Sequence, residues 1–263
     1  YFLSTIMGII LGSIGAGGSI LILPILVYFI GISPTHATSY SLIIVGFTAL
    51  IGSLTCFKNK NVNIYVAVIF SIPSILAIYL TRRYFMPVLP EQISIFNYIV
   101  TKDLFIMFFL VLLMIMASVL MISSKPIKKN NDIYKDIDKN IFRIVLIIIE
   151  GIAIGFFTGI IGAGGGFLII PALVIFLGLD MKMAVGTSLV IIFIKSLFGF
   201  IGDYQSGFVI NYYILFTILV FTMIGIVFGS NFSKYLKVNV LKKCFGWFTL
   251  GVAILILLKE SFV

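Results

Sequence analysis

The sequence predicts an all-α integral membrane protein of about eight transmembrane helices, built from two homologous halves. Helices one and five are expected to be broken or re-entrant at glycine-rich clusters. Three observations lead there. Of the 263 residues, 61% are hydrophobic and only 10% charged, against about 25% charged in an average soluble domain. Eight apolar stretches have the length of about 20 residues that crosses a bilayer core. The sequence also repeats itself at a spacing of 147 residues.

The apolar stretches run 2–30, 36–57, 62–84, 104–124, 141–177, 183–203, 209–231 and 239–259. The first and fifth are too long for one straight span, and each holds a glycine cluster. The first carries a motif that recurs later, so it is expected to be a retained span and not a cleaved signal peptide. "SSKPIKKNNDIYKDIDKN" at 123–140 is the one long polar stretch; with Pro126 and mixed charge it is a connecting loop. The chain thus divides into a first transmembrane repeat at 1–124, a loop at 125–140 and a second repeat at 141–263.

In the repeat, Gly15-Ala16-Gly17-Gly18 falls on Gly162-Ala163-Gly164-Gly165, Pro24 on Pro171, Gly31 on Gly178 and Gly52 on Gly199. Between 8 and 52 there are 20 identities in 45 positions. Low complexity matches Ile and Leu by chance, but it does not align glycines and a proline. Such duplication is a common plan among transporters. Four spans per half make the repeats parallel, and the basic residues then divide evenly between the two faces. A hairpin-like reversal at each cluster makes them inverted. The sequence leaves both open.

Glycine costs about 1 kcal/mol relative to alanine inside a helix, so a cluster at mid-span calls for a reason. Close helix packing is one. A break is the other: unwound backbone survives at membrane depth only inside protein or beside a water-filled cavity. The half-helix that follows starts with amide hydrogens lacking partners and the positive end of its dipole, a ready anion site. The cluster in both copies favours the break, and two such termini can converge on one small anion. Candidate contacts are Gly15, Ala16, Gly17 and Gly18 in the first half, and Gly162, Ala163, Gly164, Gly165 and Gly166 in the second. Ser39 and Ser41 in "HATSYSL", with Thr187 and Ser188 in "AVGTSLV", add hydroxyls that either donate to the anion or cap their helices.

Two charges interrupt apolar runs of the second half: Glu150 in "IVLIIIEGIAIG" and Lys195 in "VIIFIKSLFGF". Intramembrane ionisable groups are functional candidates by default. In an uninterrupted two-helix hairpin they share a depth and form a pair; alternatively Lys195 faces the anion alone, or both snorkel to an interface. Glu150 is the one carboxylate deep enough to carry a coupling proton. The net charge of +9, from 18 Lys and Arg against 9 Asp and Glu, fits loops beside anionic lipid headgroups and no nucleic acid partner. Cys56 and Cys244 lie far apart with no metal or redox spacing, and His36 stands alone at a loop. No cofactor and no metal are expected.

The two copies of "GxxxGxxGAGG…P…G", each followed by a small and hydroxyl-bearing segment, resemble the sulfite exporter TauE/SafE family of membrane transporters. The resemblance covers both halves and the central loop. It implies about eight helices from a duplicated unit, and transport of sulfite, sulfoacetate or related organosulfonates across the cell membrane. It places Gly15, Gly17, Gly18, Gly162, Gly164, Gly165, Thr187 and Ser188 at the family's motif positions. The first half departs with Ser39-Tyr40-Ser41 where the second has Gly186-Thr187-Ser188, and with Ser19 where the second has Gly166.

The expected function is a secondary transporter of a small sulfur-containing anion, lodged as a multi-pass protein in the plasma membrane. An oligomer is compatible with it. A passive anion channel is the nearest alternative. Nothing resembles a nucleotide-binding loop, so an ion gradient or the membrane potential supplies the energy. An intramembrane enzyme lacks its nucleophile, base or metal cluster, and a structural protein has no need of glycine breaks at mid-depth.

Overall fold

The structure, a computed structural model, describes residues 2–14, 19–95, 98–123, 141–233 and 238–261. The predicted sites at Gly15, Ala16, Gly17 and Gly18 and the loop at 125–140 lie outside these. Six described helices are long and apolar enough to cross a membrane. In chain order, α1 spans Phe2–Ile14, α2 Ser19–Tyr28, α3 Pro34–Lys58 and α4 Ile64–Val88. α5 follows at Lys102–Ser123, α6 at Ile141–Ile161 and α7 at Gly166–Phe176. α8 spans Met181–Gln205, α9 Tyr212–Ser233 and α10 Val238–Ser261.

Local chemistry sets the helix starts. Pro34 begins α3, where its missing N–H costs nothing and its fixed φ suits the first turn. The Asn63 side chain accepts from the Val66 amide at 3.1 Å to cap α4, and Asp180 accepts from the Met183 amide at 3.0 Å to cap α8. Among the described residues the architecture is all-helical apart from one short hairpin. Gln92–Ile95 (β1) and Tyr98–Thr101 (β2) pair antiparallel, Gln92 opposite Thr101. This Ile-, Val- and Tyr-bearing run lies between Pro90 and α5, and its residue types favour a pleated surface over a helix.

The two short helices fill the centre. In α7 every residue from Gly166 to Val174 is buried, and in α2 Ser19, Ile20 and Ile22 to Leu26 are. A helix apolar all round is a core helix. The longer helices surround them and turn apolar side chains such as Leu76, Phe108 and Phe216 outward, as a lipid-facing surface requires.

Contacts fix the helix directions. Leu42 lies beside Gly199, Gly46 beside Ser196, Gly52 beside Leu189 and Cys56 beside Gly186, so α3 and α8 run antiparallel. Gly151 packs on Phe70, Gly155 on Ser74 and Gly159 on Thr81, so α6 runs parallel to α4. Ile78 meets Gly199 and Arg82 meets Gly202, so α8 runs parallel to both. Two successive helices that are parallel require a return between them. α7 and residues 177–180 make that return. Residues 162–165 are therefore a reversal of the chain, not a kink in one span.

Candidate functional site

The reversal is built on three glycines in the left-handed region: Gly162 at φ 72°, Gly164 at 64° and Gly165 at 69°. Side chains rarely adopt this conformation, and neighbours exclude one as well. A Cβ on Gly162 meets Thr38 and Arg82; on Gly164 it meets Val45; on Gly165 it meets Thr158 and Lys195. The Gly162 amide closes the last turn of α6 on the Thr158 carbonyl at 2.8 Å. Among the described residues the amides of Ala163, Gly164 and Gly165 have no hydrogen-bond acceptor. The Ser41 hydroxyl donates its single proton to the Gly162 carbonyl, with the Thr38 carbonyl at 2.9 Å as the alternative acceptor.

A buried cation stands at each end of the turn. Lys195 is 0% exposed, and its Nζ donates to Thr158 Oγ1 at 2.8 Å, against Gly165. Arg82 is 2% exposed and lies against Gly162. Its Nη1 donates to Thr38 Oγ1 at 2.9 Å and to Asp203 Oδ2 at 3.2 Å. Arg82 and Asp203 form a buried ion pair. Arg82 sits where α4 loosens into a π-helical stretch, Thr81–Phe85. Such widened turns recur at functional sites, and this one buries Arg82 while Arg83 stays half-exposed.

Of the predicted site residues, the structure brings together Gly162, Ala163, Gly164, Gly165, Gly166, Ser41 and Lys195, all buried. Ser39 is buried two residues before Ser41. Thr187 and Ser188 are engaged elsewhere. The Thr187 hydroxyl accepts from the Asn63 amide at 3.0 Å, and Ser188 donates to the Val185 carbonyl at 2.8 Å. Ser188 lies about 10 Å along α8 from Lys195, seven residues at 1.5 Å each.

The expected Glu150–Lys195 pair is absent. Lys195 reaches Thr158, which lies about 12 Å along α6 from Glu150. The expectation assumed an uninterrupted hairpin. With α6 parallel to α8, residues 141 and 203 lie at opposite ends, and the depths no longer match. Glu150 is partly buried, and its Oε2 has no hydrogen-bond partner among the described residues.

Arg82, Asp203, Thr38 and Thr158 escaped the sequence reading. With Arg83 beside it, Arg82 reads as a basic residue at a membrane face. The available signal was that Arg82 and Asp203 each fall inside the end of an apolar stretch, 62–84 and 183–203, where an opposite charge is the natural partner.

Residues 1–256 match the family described as Sulfite exporter TauE/SafE. A probable membrane transporter protein of Bacillus subtilis, YdhB, is 28% identical over 257 residues, covering 96% of each chain. A probable membrane transporter protein of Xylella fastidiosa is 27% identical over 267 residues, covering 97% of this chain and 92% of its own. One from Methanocaldococcus jannaschii, MJ0441, is 38% identical over 121 residues, covering 41% and 43%. No solved structure matches. With six apolar helices of spanning length and a match along nearly its whole length, the chain belongs to the sulfite exporter TauE/SafE family, and it is a multi-pass membrane transporter and not an enzyme.

Proposed function

We propose that the protein is a secondary transporter of a small sulfur-containing anion, sulfite, sulfoacetate or a related organosulfonate, held at the Gly162–Gly166 reversal. The carrying observation is Lys195, fully buried with one neutral hydroxyl for a partner and pressed against that reversal. A buried cation without a counter-charge is costly, and an anion at the turn removes the cost. The amides of Ala163, Gly164 and Gly165, without acceptors among the described residues, add neutral donors on the same turn. The family name supplies the sulfur.

Eight spans in two inverted halves fit the contacts. At a spacing of 147 residues, α3 and α8 have corresponding bounds, Pro34 with Met181 and Lys58 with Gln205, and they run antiparallel. The bond from Ile32 to the Leu26 carbonyl corresponds to that from Leu179 to Leu173. In this arrangement Ser41 of the first half serves the second half's turn through the Gly162 carbonyl. Glu150 is the proposed carrier of a coupling proton.

Proteoliposomes loaded with labelled sulfite or sulfoacetate test this. Flux of either against its own gradient, driven by a proton gradient or membrane potential, is expected; flux only down the gradient identifies a channel. Lys195→Met removes a charge-assisted contact of about 1.5–3 kcal/mol. It is expected to weaken anion binding about 10- to 100-fold. Unchanged binding and transport in that variant remove Lys195 from the site.

A further inference from the structure

We propose that Arg82 is the oxyanion clamp of this transporter, taking two oxygens of the substrate on its Nε–Nη2 edge while Asp203 and Thr38 hold the opposite edge. The assignment rests on the transport reading above and adds a residue that reading does not use.

A guanidinium carries five N–H donors in a rigid planar fork. Nη1 uses its two on Thr38 at 2.9 Å and Asp203 at 3.2 Å. Nε and Nη2 hold the other three, and neither atom has an acceptor among the described residues, although the side chain is 2% exposed. Buried donors are nearly always satisfied, so an exception calls for an occupant. The vacant edge is the side on which Nε–H and Nη2–H point the same way. It matches the spacing of two oxygens on one carboxylate, sulfonate or phosphate centre. Its position is fixed by Gly162, where any Cβ would strike Nη2. The edge therefore lies on the reversal itself, and Lys195 marks the other end of the same turn.

Charge sets the preference. Asp203 neutralises Arg82, leaving the net positive charge of Lys195 for one negative charge on the substrate. A halide satisfies that charge but cannot take two parallel N–H bonds. An oxyanion does both. Asp203 is a positioning residue in this scheme: it fixes the guanidinium plane and, by its own charge, restrains affinity.

The test is binding to the purified full chain in detergent, with methanesulfonate, sulfite, phosphate and chloride as probes. The wild type is expected to bind at least one oxyanion in preference to chloride. Arg82→Lys keeps the charge and loses the fork; oxyanion affinity is expected to fall at least tenfold, with chloride changed less than twofold. Asp203→Asn keeps an acceptor for Nη1 and removes the negative charge; oxyanion affinity is expected to rise. Arg82→Lys with wild-type selectivity overturns the proposal, as does Asp203→Asn with reduced affinity. If Arg82→Lys does not fold, the sign of the Asp203→Asn effect decides alone. Binding of phosphate but neither sulfur probe, lost in Arg82→Lys, leaves the clamp standing and removes the sulfur assignment. Binding of none of the four by the wild type overturns both.

Discussion

Glycines in this chain do two different jobs, and composition does not separate them. Gly162, Gly164 and Gly165 occupy left-handed backbone with neighbours where a side chain would stand. Gly31 is also left-handed, at φ 78°, but nothing lies within 4 Å of where its Cβ would be. The two cases predict different outcomes. Gly31→Ala carries only the backbone cost, about 1–2 kcal/mol, and is expected to transport normally with a slightly lower thermal midpoint. Gly165→Ala adds the collision with Thr158 and Lys195, and is expected to abolish anion binding. Equal behaviour of the two in melting and binding assays contradicts the reversal geometry. Lys195 was legible in the sequence because one charge stood in an apolar run. Arg82 and Asp203 were not, because each stands at the end of such a run, where charge is ordinary.

Between elements, Gly151, Gly155 and Gly159 form a stripe along α6 that lets α4 approach closely, against Phe70, Ser74 and Thr81. In a bilayer, where no hydrophobic force drives helices together, small residues supply packing. A Cβ on Gly155 would lie 2.6 Å from the Ser74 carbonyl and 2.9 Å from Ala77 Cβ. Gly155→Val is therefore expected to destabilise the protein by about 1–3 kcal/mol through overpacking, measured as a lower midpoint of thermal unfolding in detergent. Folded variant is expected to keep wild-type anion selectivity. The helix lengths were largely legible from hydropathy, and the glycine cluster marked where α6 ends. What the sequence withheld was direction. A glycine takes left- and right-handed backbone about equally well, so its presence does not distinguish a bend from a reversal, and the Glu150–Lys195 pairing failed on that point.

At the scale of the molecule, the antiparallel packing of α3 and α8 puts the loop at 59–63 and the loop at 206–211 on opposite sides of the membrane. Lys58, Lys60 and Lys182 share the first side, where α5 ends and α6 begins, joined through the lysine-rich stretch at 125–140. By the positive-inside rule that side is expected to face the cytoplasm. Lys60→Cys and Ser206→Cys, each made with Cys56 and Cys244 replaced by Ser, are expected to react with a membrane-impermeant thiol reagent from opposite sides, Ser206→Cys from outside. Labelling of both from one side refutes the inverted arrangement. One feature makes the halves unequal. At a spacing of 147 residues, Arg82, Lys195 and Asp203 correspond to Gly229, Thr48 and Cys56. A turnstile made of identical halves would present the same threshold to traffic from either direction. On the transport reading proposed above, Arg82, Lys195 and Asp203 have no charged counterpart at that spacing, so entry from the two sides is expected to begin from unlike starting points.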